Sequence, residues 1–171
     1  RYSIKTKSEL VPLSAELEHV QNYISIQQIR FDSAFSYEVQ IPGALREKKV
    51  LKLILQPLVE NALYHGLNYC RAGDRITVEA RQSKNGLLLF VTDNGQGMSD
   101  EELAALQNQL AEKPEFKELG RRHEQSIGVK NIHTRISLYY GEYYGLQIFS
   151  EKGKGTTVQI TLPGADEPGK M

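Results

Sequence analysis

The sequence is poor in cysteine, lacks tryptophan and carries no net charge. Its single cysteine, Cys70, excludes an internal disulfide and a metal site built from paired cysteines, which is typical of a reducing compartment. Because 21 basic residues balance 21 acidic ones, no overall field draws the chain to nucleic acid or to an anionic membrane. No apolar run reaches the roughly 18 residues of a membrane span. We therefore expect neither nucleic-acid binding nor membrane contact by this chain.

Hydrophobic residues make up 40% of the 171 positions, which is enough for one sizeable core. The chain begins Arg1-Tyr2-Ser3, without an initiator methionine and without the pattern of a signal peptide. We expect it to be one cytoplasmic domain taken from a longer protein.

Apolar periodicity in the first half of the chain predicts two helices with a strand between them. The first helix starts at Ser14 as N-cap and ends near Arg30, and residues 35–41 alternate as a half-buried strand. Residues 50–65 form a mostly apolar pattern that predicts one helix, with Pro57 as a kink or close to its start.

The second half predicts a hairpin, two further helices and two closing strands. Asn85-Gly86 joins the strand over 76–80 to an apolar, central strand over 87–92. Ser99 and Glu102 form a capping box that opens a helix, and another helix runs over 129–139 and stops at Gly141. Strands are expected at 146–149 and 158–162, a mobile loop at 113–125 and a disordered tail at 165–171. Such a mixture predicts one layered α/β sandwich.

Four short motifs carry the candidate chemistry. In chain order they are LQPLVENALYHG at 55–66, DNGQGM at 93–98, SIGVKN at 126–131 and GKGTT at 153–157. Each alone is weak, but together they describe a nucleotide site: an acidic helix, a strand that ends in aspartate, a helix that begins at glycine and a glycine turn.

The first motif offers oxygen ligands on a helix. Asn61 and His65 lie one turn apart on one face, and Glu60 occupies the adjacent row. An amide oxygen beside a carboxylate suits Mg²⁺, whereas the alternative is a polar pair that only caps or solvates the helix. Magnesium binding is favoured because Glu60 and Asn61 interrupt an otherwise apolar helix, where unpaired polar groups are costly.

The second motif places a carboxylate at the end of a buried strand. Asp93 can accept a hydrogen bond from the exocyclic amine of adenine, while guanine presents an oxygen there, so Asp93 would select ATP over GTP. Gly95 and Gly97 let the backbone approach a planar base. A calcium loop is excluded because the further acidic ligands are missing, and an ordinary turn remains the simpler alternative.

The last two motifs suit phosphate and base. A helix that begins near Gly128 presents free amides and the positive end of its dipole, which stabilise phosphates. Lys130 can add a contact, and Arg121, Arg122 and His123 are weaker candidates than a plain solvated surface. Thr156 lies in a glycine turn that, taken alone, is equally consistent with a tight hairpin.

In this order, the four motifs resemble the Bergerat ATP-binding fold of the GHKL superfamily. The helix motif, together with Tyr23, Gln27 and Arg30-Phe31, is similar to the LytS-like sensor histidine kinases. The resemblance implies an α+β fold, a two-layer α/β sandwich whose mixed, mostly antiparallel sheet is covered by helices on one face, with a mobile ATP lid over 98–127. It implies Asn61 as the Mg²⁺ ligand, Glu60 as a catalytic base, and a nucleotide site of Asn61, His65, Asp93, Gly95, Gly97, Met98, Gly128, Val129, Lys130 and Thr156. Many relatives carry a glycine in place of Ser126.

The resemblance also implies a division of labour with a segment outside this chain. Residues 1–33 would be a linker helix from a dimerisation and phosphoacceptor domain, 34–164 the ATPase domain and 165–171 a tail. None of His19, His65, His123 and His133 lies in the phosphoacceptor context Pro-His-Phe-Leu-Phe-Asn. We expect ATP and Mg²⁺ as cofactors, the upstream histidine as acceptor, a response regulator downstream, and a homodimeric, membrane-anchored bacterial sensor as parent.

Two other functions stay open at this point. One is a stand-alone ATPase or serine-directed kinase of the same superfamily, since fold alone does not fix function. The helix that ends near Phe31 argues against it, because it has the character of a connector. The other is a nucleotide-sensing or pseudokinase interaction module, which the presence of both Asn61 and Asp93 disfavours.

Overall fold

The computed structural model describes residues 9–67, 70–112 and 127–164. The strands are β1 Leu10–Pro12, β2 Phe35–Gln40, β3 Lys49–Leu51, β4 Asp74–Ser83, β5 Gly86–Asp93, β6 Gly145–Glu151 and β7 Gly155–Leu162. The helices are α1 Leu13–Arg30, α2 Gly43–Arg46, α3 Gln56–Asn61, α4 Asp100–Ala111 and α5 Ile127–Tyr140. A π-helical turn, Ala62–Gly66, continues α3. Among the described residues, no helix combines the length and the apolar character needed to cross a membrane.

Five of the strands form one mixed sheet in the order β2-β4-β5-β7-β6. β2 runs parallel to β4, and the other neighbours are antiparallel. β5 is therefore central, as predicted, and its last residue, Asp93, lies opposite Thr156 of β7. β1 and β3 form a separate antiparallel pair.

The sheet has one covered face and one open face, which follows from the alternation of side chains along its strands. In β4, Ile76, Val78 and Ala80 are buried, whereas Arg75 and Arg81 are exposed. The helices cover the apolar face and share one hydrophobic core with it, which includes Val20, Ile24, Ile54, Leu58, Leu89 and Ile136. The predicted α+β fold with a helical layer on a mixed sheet is confirmed.

The start of the first helix differs from the prediction. α1 begins at Leu13 after Pro12, which has φ −58° and makes no side-chain capping bond, so Ser14 is not the N-cap. The Ser14 hydroxyl instead donates to Glu47 at 3.5 Å. α1 ends at Arg30, as predicted.

The single helix predicted over 50–65 is wrong for residues 50–55, whereas its second half and the position of Pro57 close to its start are confirmed. Residues 49–51 pair with β1 as a strand, and α3 starts only at Gln56, directly before Pro57. Proline has no N–H to donate, so it fits the first turn of a helix and not its interior. The short apolar run at 50–55 is compatible with both a buried strand and a buried helix, so the sequence pattern alone could not distinguish them.

The other helix boundaries agree closely with the sequence. At α4 the Ser99 hydroxyl accepts from the Glu102 amide at 3.2 Å, and the Glu102 carboxylate accepts from the Ser99 amide at 2.8 Å, which confirms the capping box. α5 ends before Gly141, whose φ of +110° favours glycine. Gly128 lies inside the first turn of α5 instead of preceding it. The predicted loop at 113–125 and the tail at 165–171 lie outside the described residues, as does most of the predicted lid after Glu112.

Candidate functional site

Asp93 is a buried carboxylate at the end of the central strand. Only 4% of the residue is exposed, and its Oδ1 accepts a hydrogen bond from the Gly95 amide at 2.9 Å. Burial raises the pKa of Asp93 to about 6, although hydrogen bonds from the backbone of Gly95 and Thr156 oppose that rise. A carboxylate held away from water in this way is a strong acceptor for a donor that enters the site.

Glycines allow the backbone to close around this carboxylate. A Cβ at Gly66 would lie 2.5 Å from the carboxyl carbon of Asp93, so any larger residue there displaces the acid. A Cβ at Gly95 would overlap the Gly66 carbonyl, and one at Gly155 would overlap the Asp93 carbonyl. The first, second and fourth motifs are therefore in contact around Asp93, as the sequence predicts.

Hydrogen bonds join the DNGQGM turn to the glycine turn before β7. The Gln96 amide donates to the Gly66 carbonyl at 2.8 Å, and the Gly153 amide donates to the Gln96 carbonyl at 2.7 Å. The Met98 amide donates to the Ser150 hydroxyl at 2.9 Å. Neither Gln96 nor Ser150 was predicted from the sequence to connect these turns. Gln96 lies inside the DNGQGM motif and could have been considered, whereas nothing in the sequence pattern of β6 distinguishes Ser150.

Asn61 faces the first turn of α5. A Cβ at Gly128 would lie 3.6 Å from Nδ2 and 4.0 Å from Oδ1 of Asn61. Its Nδ2 is buried and has no hydrogen-bond partner among the described residues. A buried amide without a hydrogen-bond partner is unusual in a folded protein, and a ligand or ion bound next to α5 would satisfy it.

A magnesium ion fits this arrangement. Mg²⁺ commonly takes one or two protein oxygens, substrate phosphates and several waters, which does not require a dedicated cage of protein ligands. Within the described residues, no group of three or more His, Cys, Asp or Glu side chains could hold a metal. The side-chain amide of Asn61 lies next to the first turn of α5 and offers one oxygen of this kind.

Glu60 occupies the row of α3 that turns toward α1. Its Oε1 accepts a hydrogen bond from Gln56 Nε2 at 2.9 Å. Burial, and then the neighbouring Tyr64 and Glu60, raise the pKa of Tyr23 on α1, which places the Glu60 carboxylate near that helix. Glu60 and Asn61 therefore point to different surroundings, although they are adjacent in sequence.

The His65 side chain is exposed, so it does not pack in the core. Its carbonyl accepts a hydrogen bond from Gln96 Nε2 at 2.7 Å, which ties the π-helical turn to the DNGQGM turn.

The residues after Gly128 differ in what they can offer. The Val129 side chain is buried, so it can contribute only its backbone to phosphate binding. Lys130 Nζ lies 3.3 Å from a carboxylate oxygen of Glu112, the residue directly after α4, so the ammonium has a partner already. The Thr156 hydroxyl lies 2.9 Å from the Ser150 hydroxyl. Arg121, Arg122 and His123 lie outside the described residues.

The profile of the histidine kinase-, DNA gyrase B- and HSP90-like ATPases matches residues 47–166, and a histidine kinase profile matches residues 1–35. The chain belongs to this ATPase family. The buried aspartate, the glycines around it and the asparagine beside α5 lie within the residues that the ATPase profile matches, and the histidine kinase profile matches the segment that precedes them.

Individual relatives agree. The chain is 35% identical over 167 residues to the sensor histidine kinase YesM of Bacillus subtilis, which covers 98% of this chain and 26% of YesM. It is 32% identical to the sensor protein kinase HptS of Staphylococcus aureus, over 95% of this chain and 30% of HptS. The chain thus spans about a quarter to a third of these relatives. The fold resembles the mycobacterial sensor histidine kinase MprB with a TM-score of 0.59 and 20% identity, over 91% of this chain and 97% of that one.

Proposed function

We propose that this chain is the catalytic domain that binds Mg-ATP and transfers the γ-phosphate to a histidine in the segment upstream of it. The observation that carries the proposal is the buried Asp93 carboxylate, around which glycines bring the backbones of three motifs into contact. The match to the ATPase family and the names of the curated relatives support it.

Asp93 would recognise the adenine. Its carboxylate has acceptor capacity beyond the backbone hydrogen bonds it receives, and the exocyclic amine of adenine is a donor of the right kind. Guanine would oppose an oxygen to the carboxylate and leave both acceptors unsatisfied. Gly95, Gly97, Met98 and Thr156 would line the base, and His65 would meet it at the rim.

Asn61 and the start of α5 would hold the triphosphate. The amide oxygen of Asn61 would ligate a magnesium ion, and the backbone of Gly128 and Val129 in the first turn of α5 would bind the phosphates, because a helix N-terminus favours anions. When bound, Mg²⁺ supplies charge neutralisation for the phosphates. Lys130 would reach a phosphate by exchanging its contact with Glu112, which keeps its charge near the site until then.

Glu60 would act on the accepting group. Its carboxylate lies on the side of α3 that faces α1, and residues 1–35 match the histidine kinase profile that precedes the ATPase domain. An acceptor delivered from that side would meet Glu60 before Asn61. A carboxylate there can orient the imidazole and accept its proton during transfer.

We also propose domain boundaries, partners and a cellular location for the parent protein. The domain boundaries at 33 and 164 separate a linker helix and a tail from the ATPase domain. The partners would be the chain's own dimerisation and phosphoacceptor domain and a downstream response regulator, within a homodimeric bacterial sensor that is anchored in the membrane with this domain in the cytoplasm.

Restoring the upstream segment and adding γ-labelled ATP tests the function. Acid-labile, base-stable phosphate on the upstream histidine, and none on this chain alone, is the expected result. Acid-stable phosphate on serine would support the serine-directed alternative. Nucleotide binding without any transfer would support a sensing module, and either outcome would overturn the proposed transfer to histidine.

A further inference from the structure

A buried carboxylate outside the nucleotide site holds the start of α3. Glu16 lies in the first turn of α1 and is only 2% exposed. Its Oε1 accepts from the Leu53 amide at 2.6 Å, and its Oε2 accepts from the amides of Ile54 and Leu55 at 3.0 and 3.2 Å. These amides precede α3, so Glu16 supplies acceptors and negative charge where a helix N-terminus favours both.

Arg135 of α5 holds the same turn by its carbonyls. Its Nη2 donates to the Lys52 carbonyl at 3.0 Å and its Nη1 to the Leu53 carbonyl at 3.3 Å. Leu53 has a φ of +58°, a left-handed conformation that a leucine keeps only where its surroundings impose it. The 52–55 turn is thus fixed by α1 through its amides and by α5 through its carbonyls.

α1 also contacts the far end of the same segment. The Tyr64 hydroxyl donates to Gln27 Oε1 at 3.2 Å and accepts from Arg30 Nη1 at 3.2 Å. Glu60 and Asn61 lie between the 52–55 turn and Tyr64. The placement of Asn61 against the first turn of α5 therefore depends on hydrogen bonds that α1 makes at both ends of the segment.

We propose that Glu16 is a positioning residue for the nucleotide site, which acts through the 52–55 turn, with Arg135 as its counterpart on α5. The linker helix and the phosphate-binding helix would then be coupled through one turn. Because coupling between two sites is reciprocal, nucleotide binding should also stabilise the hydrogen bonds to Glu16. The inference rests on the proposed role of Asn61 as the ligand of nucleotide-bound magnesium.

The test replaces Glu16 by glutamine in this chain and compares it with Val20→Ala. Val20 is a fully buried residue of the same helix, and its truncation removes apolar volume without removing a hydrogen bond to the turn. Affinity for Mg-ADP is measured by calorimetry well below the unfolding temperature of each variant. We expect Glu16→Gln to weaken Mg-ADP binding about tenfold and Val20→Ala to change it less than about twofold.

Hydrogen exchange at the amides of Leu53, Ile54 and Leu55 gives a second readout that a merely structural role would not move. Saturating Mg-ADP should slow exchange there in the unaltered chain and not in Glu16→Gln. Unchanged affinity in Glu16→Gln, or an equal loss in Val20→Ala, would overturn the inference. If Glu16→Gln does not fold, Arg135→Met takes its place with the same expectations, and unaltered affinity and exchange in that variant overturn the inference equally.

Asn61→Ala separates this inference from the proposed function. If ADP binding to Asn61→Ala no longer depends on magnesium while Glu16→Gln keeps full affinity, only the positioning role of Glu16 is contradicted. If ADP binding to Asn61→Ala still depends fully on magnesium, the role of Asn61 as metal ligand is contradicted. The exchange measurement would still show whether the 52–55 turn responds to nucleotide.

Discussion

Gly66 lies directly against the carboxylate of Asp93. A Cβ at position 66 would stand 2.5 Å from the carboxyl carbon and 2.6 Å from each carboxyl oxygen. Two residues from different motifs thus share a space that holds no additional methyl group. The position of the Asp93 carboxylate, the proposed acceptor for adenine, therefore depends on two features: Asp93 is the last residue of β5, and Gly66 of the π-helical turn has no side chain to displace it.

Gly66→Ala should therefore displace Asp93. We expect a loss of about 1–3 kcal/mol in the free energy of unfolding, as is typical of overpacking, and at least about a tenfold loss in Mg-ADP affinity. Gly43→Ala is the matched control, because a Cβ there meets nothing within 4 Å. Chemical denaturation and calorimetry on both variants check this expectation. Equal behaviour of the two variants would show that the close approach at Gly66 is unimportant.

The raised pKa of Asp93 predicts opposite pH dependences for stability and binding. A folded-state pKa of about 6, above the usual 3.8, means that the folded chain holds this proton more tightly than the unfolded chain does. The contribution of Asp93 to stability is thus present below about pH 4 and is lost as the pH rises through about 6, by on the order of 2–3 kcal/mol.

Adenine binding should change in the other direction, because the ionised carboxylate is the better acceptor. We expect Mg-ADP affinity to fall as the pH is lowered below about 6. Subtracting the pH profile of Asp93→Asn removes the titration of the nucleotide and of other residues. A profile that is the same for the unaltered chain and for Asp93→Asn would exclude Asp93 as the titrating group.

The sequence predicted the sheet well because its strands alternate and its turns carry glycine. Ile76, Val78 and Ala80 revealed the buried face of β4, and Asn85-Gly86 marked the hairpin that leads to Asp93. The capping box at Ser99 was equally specific, since two reciprocal hydrogen bonds demand those residue types at that spacing. Each of these signals involves residues that are close together in the chain, so it can be recognised from a single sequence.

The approach to α3 could not be predicted, because its causes are distant in sequence. Glu16 reads as an ordinary acid in a first helical turn, yet it binds amides at 53–55, and Arg135 binds carbonyls of the same turn from far along the chain. Apolar residues at 50–55 suit a strand, a turn or a helix until those partners are known. The motifs predicted Asn61 and Asp93 as candidate site residues. They did not predict the hydrogen bonds that Gln96 and Ser150 make to the neighbouring turns.

Asn61→Ala should weaken nucleotide binding only when magnesium is present. Loss of the metal ligand is expected to cost about 1–3 kcal/mol, roughly tenfold to a hundredfold in Mg-ADP affinity, with little change in metal-free ADP affinity. Asn108→Ala, at an exposed position of α4, serves as the control. An Asn61→Ala variant with full magnesium dependence would place the metal elsewhere.

Glu60→Gln should separate binding from transfer. Because the Glu60 carboxylate lies near Tyr23 of α1, we expect Mg-ATP affinity to stay within about twofold while phosphotransfer in the complete kinase falls by about a hundredfold or more. Quench-flow measurement of the labelled histidine, alongside calorimetry, provides both numbers. Retained transfer would make Glu60 a structural acid, and the base would then lie upstream of this chain.

Calorimetric titration of the unaltered chain and of Asp93→Ala with Mg-ATP and Mg-GTP shows whether Asp93 recognises adenine. We expect the unaltered chain to prefer ATP, and Asp93→Ala to lose about tenfold to a hundredfold in ATP affinity and with it the preference over GTP. Unchanged ATP affinity in a folded Asp93→Ala variant would contradict the assignment of Asp93 to adenine.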